Sequence, residues 1–173
     1  NNHFTPFFTK RAQTSNENKL RATCPFEKCA SKIISYQDNQ LVELPSYLSE
    51  LYKLMRSSES ENDATRTQGT KFLVTQDIWD FDNIGVSKSL DSLDLEHRVQ
   101  VLTDAGHAQY SFKNIVIPYK NTNYKIVKAL KYLICADCDK GPLGVILEVF
   151  PVGTLDSASH IQLNLLNVDV CKS

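Results

Sequence analysis

Long apolar runs are missing from this 173-residue chain. It holds no stretch of about 18 consecutive apolar residues, so no helix is suited to span a bilayer. It also lacks a secretory signal with its apolar central region. An excess of charge is missing too. The net charge is -1, which gives no bulk electrostatic reason to expect nucleic acid or an anionic membrane as a partner. Glycine is scarce, with six residues in all, and Gly85 and Gly106 stand alone, which excludes a Gly-rich phosphate loop. No nucleophile motif is present. Methionine occurs once, at Met55. Residue 1 is therefore not an initiator, and the chain is expected to lack its natural beginning, with any targeting signal there out of view.

What is present suits one globular domain. Apolar residues make up 42% of the chain, and the length supports a single core. Residues 1–22 are polar apart from Phe4, Phe7 and Phe8 and are expected to form a flexible tail, with the domain running over 23–173. Strands are expected at Ser31–Tyr36, Gln40–Leu44, Lys71–Thr75, Tyr124–Ile134, Val145–Phe150 and Ile161–Leu165. Ile115–Tyr119 reads as an edge strand, because Pro118 cannot donate to a ladder. Pro45 or Ser46 is expected to open a helix whose apolar face is Tyr47, Leu48, Leu51, Tyr52, Leu54 and Met55. Residues 56–70 hold no large apolar side chain and are expected to form a mobile loop. Residues 87–114 read as an insertion that permits a helix over Ser89–Leu102. The fold class is mainly β with one or two short helices.

Five cysteines are present, an odd count. Cys24-Pro-Phe-Glu-Lys-Cys29 and Cys135-Ala-Asp-Cys138 are two close pairs far apart in the chain. Two pairs and a lone Cys171 fit a reduced, cytosolic compartment with one metal site better than a disulfide framework. Four thiolates suit one tetrahedral Zn2+, a closed shell with no open position and hence a structural ion. A thioredoxin-like dithiol is the alternative; it needs a helix starting at the cysteines, and Asp139-Lys-Gly-Pro142 starts none. His3, His97, His107 and His160 have no ligand spacing to a cysteine and are expected at the surface. Cys171 has no partner in sequence and reads as a buried or idle thiol.

The second unusual segment is Asp77-Ile-Trp-Asp-Phe-Asp-Asn-Ile-Gly85. Its carboxylates do not match a calcium loop, since no Gly stands at the sixth position and Lys88 stands at the twelfth. General acid–base catalysis finds no supporting motif. Two readings stay open. The segment is an exposed strand or loop that binds protein, or it alternates with Trp79 and Phe81 in the core and Asp80 and Asp82 in water.

Trp79-Asp-Phe-Asp-Asn-Ile-Gly-Val86 and Leu130-Lys-Tyr-Leu-Ile-Cys-Ala-Asp-Cys-Asp-Lys-Gly-Pro-Leu-Gly144 closely resemble the Mss-four/Dss-four family of zinc-containing guanine-nucleotide-releasing factors for Rab GTPases. The resemblance runs from about Thr23 to Phe150. The wide spacing of Cys24 and Cys29 is similar to the fungal branch, and Val145 stands where animal members carry Trp. The resemblance implies a zinc-bound β-tent fold with ligands Cys24, Cys29, Cys135 and Cys138. It also implies a non-enzymatic role: binding nucleotide-free Rabs of the secretory pathway, promoting nucleotide release and stabilising the empty GTPase. The implied Rab surface comprises Asp77, Ile78, Trp79, Asp80, Phe81, Asp82, Asn83, Ile84 and Gly85, with Asp137, Asp139, Lys140, Gly141 and Pro142 of the second knuckle. The segment is expected to dock by β-addition, with Trp79 or Phe81 as anchor and the carboxylates repelling phosphate. A monomer in the cytoplasm, reaching membranes through the Rab, is the expected state. A zinc-stabilised adaptor without exchange activity is the alternative function.

Overall fold

The computed structural model describes residues 19–26, 28–45, 47–55, 69–88, 112–153 and 157–171. Among the described residues, nine strands and one short helix follow in order: β1 (Lys19–Thr23), β2 (Lys32–Gln37), β3 (Leu41–Pro45), α1 (Tyr47–Leu51), β4 (Gly69–Thr75), β5 (Ile84–Val86), β6 (Val116–Tyr119), β7 (Thr122–Cys135), β8 (Gly144–Pro151) and β9 (Ile161–Asn167). β1 and β2 form a two-stranded sheet, and the other seven strands form a sheet of order β3-β4-β9-β8-β7-β5, with β6 also on β7. All pairings are antiparallel. The mainly β class with a short helix stands as the sequence indicated.

The large sheet buries one face over its whole width. Alternate residues Phe72 and Val74, Val145, Leu147 and Val149, and Leu163 and Leu165 point to that side, where Tyr47, Leu48 and Leu51 of α1 cover them. The opposite residues Leu73, Leu133, Ile146 and Leu166 meet Ile33, Ile34 and Tyr36 of the small sheet in a second core. The period-2 pattern of each strand therefore serves two cores. Buried Asn164 donates across strands to Thr75 at 3.2 Å, and buried Asn167 of β9 donates to Ser49 of α1 at 3.3 Å.

Several expectations are corrected. Strand β1 starts at Lys19 and pairs with β2, so the end of the supposed tail belongs to the fold; residues 1–18 lie outside the described residues. Pro45 does not open the helix. It closes β3, paired opposite Gly69, an edge position where a missing N–H costs no ladder bond. The helix is also shorter than its apolar stripe, because Lys53 takes a positive φ of 53° and ends it. Gly69 and Thr70 belong to β4 and not to the loop; residues 56–68 lie outside the described residues. Of the 87–114 insertion, Ser87 continues the pairing of β5: its N–H donates to Tyr132 O at 3.0 Å and its hydroxyl accepts from Tyr132 N–H at 2.9 Å. Residues 89–111, with the helix expected over Ser89–Leu102, lie outside the described residues.

Strands β8 and β9 pack so closely at one point that only glycine fits. A Cβ built on Gly144 lies 2.0 Å from the backbone oxygen of Leu165. That neighbour is backbone in the middle of a sheet and cannot swing aside. Gly144→Ala is expected to cost about 3 kcal/mol, the top of the usual overpacking range, read as a lowered urea midpoint with an unchanged slope.

Candidate metal centre and adjoining surface

The two cysteine pairs come together where β1 meets β2 and β7 meets β8. Cys24 follows β1, Cys29 precedes β2, Cys135 ends β7 and Cys138 lies in the turn beyond it. Cys24 Sγ is 3.7 Å from Cys138 Sγ, and Cys29 Sγ is 3.6 Å from Cys135 Sγ. All four sulfurs lie within 4.8 Å of one another, and none forms a disulfide. Tetrahedral sulfurs bound at about 2.3 Å to one ion sit about 3.8 Å apart, so the set fits a single four-coordinate metal. Soft thiolates select zinc or iron among common ions.

Both knuckles fold the same way. The residue after each second cysteine has a positive φ, 52° at Ala30 and 59° at Asp139, which reverses the chain around the sulfurs. Cys29 and Ala30 donate their N–H groups to Phe26 O at 2.9 and 3.1 Å, and Asp139 N–H donates to Cys135 O at 2.8 Å. Gly141 is needed for closeness, since a Cβ there would stand 2.9 Å from Leu143 N. Beyond Cys138 the chain runs into β8 and not into a helix, so the frame of a thioredoxin-like dithiol is missing at this pair.

Burial and hydrogen bonding split the thiols. Cys24 and Cys135 are fully buried. Desolvation pushes the Cys24 thiol up to about 12, against a smaller downward pull from the Phe26 backbone, and it also raises Cys135. The Ser31 hydroxyl, then its backbone, brings Cys29 down to about 7. Buried neutral thiols become thiolates only with a cation among them, so metal binding here releases protons.

The knuckles are tied by contacts that spacing alone did not reveal. Ser31 hydroxyl donates to the Asp137 carboxylate and also touches Cys29 Sγ at 3.4 Å. The Lys140 ammonium lies 4.8 Å above the Phe26 ring. The Pro142 carbonyl accepts from Met55 N–H at 3.0 Å. Asp137, Lys140, Gly141 and Pro142, expected as partner contacts, thus all have contacts inside the fold, and Asp137, Asp139 and Lys140 are also exposed.

The acidic-aromatic segment does run beside this centre. Ile84 pairs opposite Cys135 and Gly85 opposite Ile134. Asn83 bridges the two sheets: its side-chain amide donates to Lys32 O at 2.8 Å, and its carbonyl accepts from Ala136 N–H at 3.1 Å. Asp82 N–H donates to Ile33 O at 2.7 Å, and its carboxylate lies 3.4 Å from Lys32 Nζ. Asp77 to Asn83 is not a strand, however. Ile78–Asp80 is a 3-10 turn, begun by the Asp77 carboxylate accepting from Trp79 N–H at 2.9 Å. That local bond competes with a ladder and ends the period-2 alternation. Phe81 is buried at 8% exposure, as the alternating reading expects, but Trp79 is 86% exposed. Asp80 is exposed, and Ile78 packs against the second core.

Residues 17–164 match the Mss4 protein family, a span containing four of the five cysteines, Cys24, Cys29, Cys135 and Cys138. The chain belongs to the Mss4 family. It is 41% identical over 129 residues to Protein DSS4 of Saccharomyces cerevisiae, a match that covers 75% of this chain and 81% of that protein. The Mss4 match also takes in the Asp77–Val86 segment and β1 through the first half of β9.

His160 differs from expectation, and Cys171 does not. His160 is not a plain surface residue: its Nδ1 lies 2.7 Å from Glu148 Oε2, with its ring centroid 5.9 Å from that of Phe150. His3, His97 and His107 lie outside the described residues. Cys171 packs against the second core, and burial pushes its thiol up to about 12, which suits an unreactive thiol.

Proposed function

We propose that this protein binds Rab-type small GTPases of the secretory pathway in their nucleotide-free form, promotes release of bound nucleotide and stabilises the emptied GTPase. Membership of the Mss4 family carries this reading. One Zn2+ held by Cys24, Cys29, Cys135 and Cys138 would be structural, since four thiolates leave no position for water or substrate. The role involves no covalent chemistry. The protein would act as a cytosolic monomer that meets membranes through the GTPase.

A GTPase grips its nucleotide through P-loop amides, a lysine and Mg2+. Only a factor that binds the empty state better than the loaded one shifts that equilibrium. Trp79 is suited to anchor such a partner, because it stands out from a capped turn with almost all of its surface in water. Asp80 and Asp82 are exposed beside it and would disfavour a pocket still holding phosphates. β-addition along the whole of Asp77–Gly85 is withdrawn, because only Ile84–Val86 is extended. Phe81 is withdrawn as an anchor, because it lies in the core.

A pull-down with nucleotide-free, GDP-loaded and GTP-loaded Rab tests the reading. Capture of the empty form alone, with faster release of labelled GDP, is the expected result. Equal capture of all three forms with unchanged release would replace it with an adaptor role.

A further inference from the structure

Among the described residues, the small sheet packs on the outer face of the large sheet at its metal end, and the half away from that end carries a row of lysines. Strand β7 reads Lys125-Ile-Val-Lys-Ala-Leu-Lys131, with lysine at every third position. In a regular strand, residues three apart point to opposite faces. Here the register with β8 slips twice, between Ile126 and Lys128 and between Ala129 and Lys131. Each bulge inserts one residue, and the three lysines come to one side. Their inner neighbours confirm the sense: Ile126 and Ala129 are buried in the first core. Lys125 stands opposite Phe150, Lys128 opposite Glu148 and Lys131 opposite Ile146. The ridge therefore spans about four strand residues, or about 13 Å.

The surroundings add to it. Lys113 and His160 line the same hollow as Lys125 and Phe150, of about 550 Å3. Val116, 41% exposed, stands opposite Lys125 on β6. Glu148 opposes the ridge, but its side chain is three-quarters covered and shared between His160 at 2.7 Å and Lys128 at 4.0 Å. At the other end, Lys128 and Lys131 border a groove of about 650 Å3, with Asp77 and Trp79 on its far wall.

We propose that this face docks on an anionic lipid surface by peripheral contact, without insertion. Charge complementarity commits it to that occupant. The ridge is all lysine, with no arginine fork for bidentate recognition of one carboxylate or phosphate. Ammoniums on long side chains spread along one sheet face match a diffuse layer of anionic headgroups, each lysine near such a surface strengthening binding about fivefold. A few lysines give weak, reversible attachment, which serves a protein whose main partner is itself at a membrane.

Sedimentation with phosphatidylcholine vesicles, with and without phosphatidylserine, tests the proposal on the full chain with its metal. Binding is expected only with phosphatidylserine and is expected to fade as salt rises, because screening tightens. K125Q/K128Q/K131Q is expected to weaken binding on the order of a hundredfold, with metal content and thermal midpoint unchanged. If the triple variant fails to fold, Lys128→Gln alone is expected to cost about fivefold. The lysine variants are expected to keep their affinity for nucleotide-free Rab in vesicle-free solution, so the two readings fail separately. Absence of phosphatidylserine-dependent binding, equal binding by the lysine variants, or retention of an acidic peptide while vesicles are ignored would overturn it.

Discussion

Stripping the metal with a strong chelator is expected to unfold the metal half of the protein. Structural zinc sites supply about 10–16 kcal/mol of apparent binding energy, as much as or more than the roughly 5–15 kcal/mol that holds a whole domain together. The ion here would join the β1–β2 sheet to the end of β7, because two ligands come from each. Among the described residues, the small sheet rests on Ala22, Ile33, Ile34 and Tyr36 in the second core, on the Asp82 and Asn83 hydrogen bonds to Ile33 and Lys32, and on the Ser31–Asp137 and Phe26–Lys140 contacts between the knuckles. The first core, between α1 and the large sheet, contains none of the cysteines. Loss of metal is therefore expected to expose β1 and β2 to hydrogen exchange first, and to lower or abolish the cooperative thermal transition. Cys135→Ser, which removes a fully buried ligand, is expected to behave like the chelated protein. Burial holds Cys24 near 12 and raises Cys135, so these thiols are protonated in the metal-free state at neutral pH. Binding releases their protons, and metal affinity is expected to rise with pH and fall in acid. A chelated protein with full metal loss and an unchanged midpoint would show that the cysteine cluster does not hold the fold.

Trp79→Ala is expected to separate binding from folding. At 86% exposure the indole contributes little to the core, and removing it should change stability by no more than about 0.5 kcal/mol. Affinity for nucleotide-free Rab is expected to fall by about 2–4 kcal/mol, the range of an aromatic hot spot, which is roughly 30- to 1,000-fold. The neighbouring Phe81→Ala should do the reverse. That ring is buried in the second core, and its loss should cost about 3–5 kcal/mol of stability. Affinity measured by titration, beside urea unfolding of both variants, checks the pair. Asp137 is a poor choice for such a test, because it accepts the Ser31 hydroxyl between the knuckles; any loss in an Asp137 variant would mix metal retention with recognition. Unchanged Rab affinity in Trp79→Ala protein would remove this residue from the binding surface.

Much of the fold was legible from pattern alone. Strands β2, β4, β8 and β9 alternate or run apolar between turn residues, and each lies within a few residues of its expected place. Their pattern is strong because burial on one or both faces decides every position. The elements read less well are those ruled by a single local bond or angle. Lys53 stops a helix whose apolar stripe continues, and the Asp77 cap turns an apparent strand into a 3-10 turn. β1 was hidden because its residues Lys19-Leu-Arg21 are exposed, leaving composition like that of the tail before it.

The sequence by itself offered four thiols in two pairs as the donor set for one metal ion, because donor chemistry and spacing belong to residue types. It also carried the family, because the residues around Cys135 and Cys138 are distinctive in order. Only the tertiary structure decided which side of Trp79 faces water, that Asp137 and Lys140 brace the knuckles, and that three lysines share one face. Those outcomes depend on pairings between residues some hundred positions apart and on two bulges. Neither net charge nor periodicity along one strand records them, since both are sums over the chain and the bulges shift the register by one residue each.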